Sequence, residues 1–533
     1  MKKWSAGMLV GILLFLAGAV NPIPAKADSL YIVRIGLTEH LKQQSNVKIS
    51  TKKIAIGYCL NNRFSEYIHF TSKSGFTFTP ATGYYLVSDT VYPDYASVKN
   101  AYNKAQKIAA VKKYTYICMT GKNKWCLYVG GLKDVAKVSS WRDKLEKQLS
   151  TTFGSITSYN GHRVKITGEN NTLLYDGADT GQYVQISANV LNSKGSKTLT
   201  VNGYEYRGRL EIGPYGTSKL TVVNITNVEN YLRSVVGSEM NGSYPMEALK
   251  AQAIVSRTYA QNHCTNSGDT NTANPYSIND TETYQRYGGY KKETKKCVEA
   301  VTSTRGISIY SAGSQIDASF FPSSGGATEA AQNVWGMPKS YLKMVSDLGE
   351  LTYGTKAWRV TYTAKELGEL LGIGEVTNVT VDSQTSSGRV YQITVTGKEQ
   401  SLTLKGDNVR SRLGVKSTKF KLVTKEQPQN QVSLLNAQSS STVPSLKNCY
   451  ALSQNGKVTS LNNSLSQYIV MGANNLSNYM KETTGTEGTY TFAGLGSGHG
   501  VGMSQAGARA LADRGYSYTR IIQYYYGKKV TIK

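Results

Sequence analysis

The order of apolar and polar positions changes character several times along the chain. Short apolar runs at 55–60, 84–87, 114–118 and 125–131, bounded by polar turns, predict strands. Between the second and third of these, Ala96, Val98, Ala101, Ala105 and Ile108 recur near helical spacing, and a second helix carrying Trp141 and Leu145 is predicted over 139–149. From 160 to 226 the pattern becomes alternation broken by Gly, Asn and Asp, with strands predicted over 162–166, 183–186, 206–212 and 219–225. Val228, Leu232, Val235 and Val236 then share one helical face within 228–242. Gly242 and Ser243 end that helix, and Pro245 opens another over 245–262, proline being well tolerated in a first turn. Residues 318–327 run from a strand into a loop of small residues, and 351–424 read as β structure with a short helix near 365–371. Residues 425–447 carry Gln, Asn and Ser without apolar period, as a surface insertion would. A Gly-rich stretch at 498–505 opens a helix ending near Gly515, and a last helix with Ile521, Ile522 and Tyr525 follows Ser517. The class predicted is α+β. Its parts are a small α+β N-terminal domain over 28–155, a β-rich part over 156–226, and a core over 227–533 with an insertion at 425–490.

The first residues bear on compartment. Lys2 and Lys3 precede an apolar run at 8–20, too short for a good membrane span, and Asn21, Pro22 and Pro24 break it. With the small residues Ala25 and Ala27 behind it, this predicts a signal peptide over 1–27, removed before Asp28; an uncleaved anchor is the alternative. The mature protein is then expected to be secreted, extracytoplasmic and associated with the cell wall, meeting the membrane only transiently. Lys+Arg outnumber Asp+Glu by 61 to 35, for a net charge of +26, so the surface attracts polyanions. Outside the cytoplasm nucleic acid is not an expected partner, whereas the cell wall and its teichoic acids are. The 38 Tyr against 10 Phe offer flat apolar faces with a hydroxyl at the edge, which suits sugars.

Candidate chemistry is sparse. Of six Cys, Cys118 and Cys126 flank a turn between two strands and could pair across a hairpin. Cys59, Cys264, Cys297 and Cys449 form no CxxC and no Cys/His set at zinc spacing, so neither metal nor cofactor is expected. Glu239 falls at the last turn of the 228–242 helix, at a helix-to-helix corner. The negative end of the helix dipole opposes ionisation there, and burial would raise the pKa further. Those are the conditions for a carboxyl that carries a proton near neutral pH; a solvated surface acid is the plain alternative. The Gly-rich stretch lacks the Lys-Ser/Thr of a P-loop, which argues against nucleotides. It either brings substrate close, with His499 and Gln505 as polar contacts, or staples the last helices onto the core.

Four stretches, "VENYLRSVVGSEM", "YPMEALKAQAIVSRTYA", "FFPSSGGATEAAQNVWGMPKSYLKMV" and "GHGVGMSQAGARALADRGYSYTRIIQYYY", resemble in this order the SpoIID/LytB family. The resemblance covers about 200–533. It implies a peptidoglycan role, with lytic transglycosylase activity on glycan stripped of its peptides and Glu239 as the catalytic acid. Arg257, Ser323, Ser324, His499 and Gln505 are the candidates for lining the glycan groove. The LytB side of the family implies instead a non-catalytic partner of a cell-wall amidase. Where sporulation-type members resemble a zinc-holding pattern, "YSINDTETYQRYGGY" at 276–290 has neither Cys nor His, so no zinc is expected. A serine hydrolase using Ser323 or Ser324 with His499 is a third reading, but no GxSxG elbow supports it. Farther upstream, the strand-helix-strand-strand-helix order around "WCLYVGG" resembles SPOR domains, which implies glycan binding.

Overall fold

The computed structural model describes residues 31–423 and 488–533, apart from 155, 170–171, 190, 272–273, 348 and 351–356. Between the two blocks it gives only the backbone of short hairpin strands from Val432 to Asn478. The expected signal peptide, Cys449 and nearly all of the expected insertion lie outside the described residues.

Two sheets organise the N-terminal half. One has seven strands, in the order Ile278–Asn279, Ile32–Gly36, Thr221–Asn227, Arg209–Gly213, Val184–Ala188, Lys53–Leu60 and Arg63–Thr71. The other has ten, among them Val47–Ile49, Phe76–Pro80, Arg163–Thr167 and Thr172–Asp176. Residues from either side of 155 alternate in both sheets: Ile35 lies opposite Asn224, Ile56 opposite Ile186, and Phe78 opposite Ile166. The separate domain expected over 28–155 is therefore corrected, because its strands complete sheets built jointly with 156–226. Alternation along a strand says which face is buried, but not which strand lies alongside. The strand expected over 206–212 is likewise two, Tyr204–Arg207 in the ten-stranded sheet and Arg209–Gly213 in the seven-stranded one. The chain changes sheets at Gly208, where φ is +85° and a Cβ would lie 2.3 Å from the Ile225 carbonyl oxygen.

One unit of the ten-stranded sheet keeps the order read from the sequence. Strand Tyr84–Val87, helix α1 (Tyr95–Ala105), the hairpin Thr115–Gly121 and Lys124–Leu132 and, after a short helix over Val135–Ser139, helix α2 (Arg142–Leu149) come in that order, and strand Ile156–Thr157, which the pattern does not predict, closes the unit. Their four strands lie in spatial order 2-3-1-4 with every neighbour antiparallel, a split βαβ arrangement. Cys118 and Cys126 are register partners in this hairpin, yet both thiols are free. They sit in a buried cluster with Tyr85, Tyr128 and Leu174, and burial pushes both thiols toward the protonated form.

The helical core follows: α3 (Val228–Glu239), α4 (Met246–His263) and α5 (Lys295–Ser303), then α6 (Ala364–Leu371), α7 (Gln505–Asp513) and α8 (Tyr518–Tyr526). The Asn227 side chain caps α3 by accepting from the Asn230 N–H, and Pro245 precedes α4 with the φ of −58° its ring imposes. Helix α4 packs against α3, α5, α7 and α8, which is why nearly every position from Ala248 to Ala260 is buried. A second core, around Ile393, Leu404, Phe420 and Phe492, sits in the β structure from 358 to 423. Strand Thr489–Gly494 lies between Trp358–Thr363 and Phe420–Val423 in that region, and the chain then returns to α7. The class is α+β, as the pattern predicts. No helix among the described residues is long and apolar enough to cross a membrane.

The return path is the Gly-rich segment. Gly496, Gly498, Gly500 and Gly502 all have positive φ, and the segment lies flat along 319–325, with Phe320–Phe321 paired in parallel to Met503–Ser504. A Cβ at Gly502 would sit 1.9 Å from the Ser319 carbonyl oxygen, so a side chain is excluded by backbone as well as by φ. Gly515 has the same φ of +82° but nothing within 4 Å. Gly502→Ala should therefore lower stability by about 2 kcal/mol or more and Gly515→Ala by only about 1 kcal/mol, read as shifts in the urea midpoint.

Candidate functional site

Glu239 is the last residue of α3. Behind it the helix end is seated closely: a Cβ on Gly237 would lie 2.0 Å from the Lys292 carbonyl oxygen. The backbone of 286–288 runs along this end, where the Gly288 N–H donates to Ser238 Oγ at 3.2 Å. The Arg286 N–H donates to Glu239 Oε1 at 2.8 Å, and Gln505 Nε2 donates to Oε2 at 3.1 Å. Glu239 is half-buried as a residue, and each of its two carboxyl oxygens accepts a hydrogen bond. Burial pushes its pKa above the usual glutamate value; the two hydrogen bonds and the Arg286 charge pull it back, and Glu282 adds to the rise.

Gln505 is held in place by a second carboxyl. Ser504 caps α7 by accepting from the Gly507 N–H at 3.0 Å, and its own hydroxyl donates to Glu350 Oε2 at 2.7 Å. Glu350 also accepts from the hydroxyls of Ser323 (2.6 Å) and Ser324 (2.9 Å) and from the N–H groups of Ser324 and Gly325, both at 2.7 Å. Burial alone would raise its pKa, but these donors outweigh burial and hold it below the usual range. Asp347, next to it, accepts from the Tyr525 hydroxyl at 2.9 Å while its Oδ2 is buried without a partner. Burial and the Glu350 charge push Asp347 up to about 8, so one carboxyl of the pair is ionised and the other neutral at pH 7.

The residues expected at the site separate into three groups. Glu239 and Gln505 touch. Ser323 and Ser324 are one step behind, linked to Gln505 through Glu350 and Ser504; Ser324 is fully buried, so it does not line a groove. Arg257 is the clear correction. It is fully buried, with Nε and Nη2 each 2.8 Å from the Glu229 carboxylate and with its remaining donors on the carbonyls of Ile307 and Val301. That fork ties α4 to the start of α3 and leaves nothing for a ligand. His499 packs against Phe321 and Trp335; its Nε2 donates to the Phe320 carbonyl and its Nδ1 accepts from the Val501 N–H, both at 3.1 Å. Burial drives it down to about 4, so it is neutral and structurally engaged, and no serine–histidine pair forms. Sequence gives no mark for Glu350, Asp347 or Arg286, since each acquires its role only through contacts across the fold.

Residues 216–310, which contain Glu239, match the family model "SpoIID: Stage II sporulation protein". The chain is 27% identical over 348 residues to "Stage II sporulation protein D" of Bacillus subtilis, spanning 63% of this chain and 80% of that protein. An uncharacterized protein of Brachyspira hyodysenteriae is 29% identical over 330 residues, spanning 62% of this chain and 72% of its own length. The "Amidase enhancer" of Bacillus subtilis is 32% identical over 304 residues, which is 55% of this chain but only 39% of that larger protein. The SpoIID match takes in α3, α4, α5 and the 286–288 backbone; Gln505 and Glu350 reach the site from outside it.

Two measurements test these supports. Arg257→Ala leaves Glu229 without its cation and should cost about 3–5 kcal/mol of stability, seen as a lowered melting temperature rather than as weaker ligand binding. Asp347 has a folded pKa of about 8 against 3.8 unfolded, so its contribution is full below pH 4 and is lost as pH rises through 8. Asp347→Asn lacks that loss. Between pH 6 and pH 9 the difference in urea stability should move in the variant's favour by about 3 kcal/mol.

Proposed function

We propose that this chain is an extracytoplasmic peptidoglycan-remodelling protein, a lytic transglycosylase in which Glu239 cleaves the bond between MurNAc and GlcNAc in peptide-free glycan. The observation that carries the reading is the state of Glu239: partly exposed, raised in pKa by burial, and fixed by two N–H donors that leave each oxygen a free lone pair. As acid, Glu239 gives its proton to the glycosidic oxygen, the C1–O bond breaks, and GlcNAc departs with a free hydroxyl. The carboxylate left behind is stabilised by Arg286 N–H and Gln505 Nε2. It then takes the proton of the MurNAc C6 hydroxyl as that oxygen bonds to C1, which gives the 1,6-anhydro ring and restores the acid. No water is consumed, so no second carboxylate is needed at the separation ordinary glycosidases require. The split βαβ unit around Trp125 is read with it as a SPOR-like glycan-binding element, and the signal peptide as the route out of the cytoplasm.

A second reading follows from the 32% identical relative named an amidase enhancer: a cell-wall-binding partner of an amidase, without turnover of its own. Peptide-free glycan strands incubated with the purified protein separate the two. The transglycosylase gives anhydro-MurNAc ends by mass spectrometry, whereas the enhancer gives none and stimulates an added amidase. Glu239→Gln keeps the contact to the Arg286 N–H and regains the second if the Gln505 amide turns to accept, but it has no transferable proton, so turnover should fall by about 10²- to 10⁴-fold with the fold retained. Activity should also decline as pH rises past the raised Glu239 pKa, because the first step needs the protonated form.

A further inference from the structure

Arg286 touches Glu239 only through its backbone, and its guanidinium is left over. That backbone contact fixes the Cα of Arg286 beside the acid, and its charge is felt there, being one of the influences that lower the Glu239 pKa. The guanidinium Nη2 lies 3.1 Å from Glu282 Oε1, and the two side chains are 57% and 76% exposed. An exposed pair of this kind is held weakly and exchanges readily for another carboxylate. The stretch 276–290 thus sets a mostly exposed guanidinium, occupied by an easily displaced carboxylate, at the edge of the reactive acid. Guanidinium prefers carboxylate as a forked, two-point partner.

The substrate has such a group. Each muramyl unit carries a lactyl ether; with its peptide attached the lactyl ends in a neutral amide, and removal of the peptide leaves a free carboxylate. Resting on the reading of Glu239 given above, we infer that Arg286 is the residue that recognises this lactyl carboxylate, which exchanges with Glu282, and that it selects muramyl units already stripped of peptide.

The test separates recognition from turnover by using the full chain with Glu239→Gln, which binds without cleaving. Two probes are compared, a peptide-free glycan oligosaccharide with free lactyl carboxylates and the same oligosaccharide with those carboxylates converted to methylamides. The free acid should bind about three- to tenfold more tightly. Adding Arg286→Gln should erase the difference, Arg286→Lys should keep part of it, and Glu282→Gln should enlarge it by removing the competitor; melting temperatures confirm that each variant is folded. Equal affinity for the two probes, or a preference that survives Arg286→Gln, overturns the inference. Absence of anhydro-MurNAc ends from the unmodified protein counts instead against the Glu239 chemistry and leaves this binding comparison readable.

Discussion

The constraint on which the rest depends is that one carboxyl has to be held between two opposite pulls. Burial at the end of α3 favours the neutral form of Glu239, and two N–H donors favour the ionised form. If burial acted alone the group would keep its proton through the reaction; if the donors acted alone it would never carry one. The donors come from 47 and 266 residues away in sequence, so the balance exists only when the helical core and the returning C-terminal segment are both in place.

That requirement explains the buried ionic groups behind the site. Glu350 collects donors from the 323–325 loop and from Ser504, and so fixes the residue that leads into Gln505. Asp347 stays neutral beside it, because two adjacent buried negative charges would cost more than the fold gains. Arg257 and Glu229 perform a comparable service at the other end of α3, as Arg34 and Glu211 do within the seven-stranded sheet. Buried pairs of this kind add little net stability over well-packed apolar residues, yet losing one partner is expensive, so their effect is to fix positions. The alternating glycines at 496–502 belong to the same device: they let backbone lie on backbone and set the depth at which α7 meets α3.

How much of this was legible follows from the range of each interaction. Helices α3 and α4 were readable because Gly242, Ser243 and Pro245 punctuate a local period, and Glu239 at the corner followed from counting turns. Strand existence was readable too, even the strand-helix-strand-strand-helix order around Trp125. Strand partnership was not, since the pairing of Ile35 with Asn224 or of Phe78 with Ile166 leaves no trace in either segment alone. Arg257 was misplaced for the same reason. A cation on a helix reads as solvent-facing, and its partner Glu229 lies 28 residues upstream on another helix. The stretch 276–290, scanned for metal ligands, delivers a backbone N–H instead, a group every residue but proline possesses and no pattern announces.

The account stands or falls on the acidity of Glu239 itself. Carboxyl-¹³C-labelled glutamate in the folded protein, titrated by NMR with Glu239→Gln to assign the resonance, reads that acidity directly. The account predicts a midpoint above the 4.5 of an unperturbed glutamate. A midpoint at or below that value would mean that the hydrogen bonds and the Arg286 charge outweigh burial, leaving a carboxylate unable to hold the proton that bond cleavage needs.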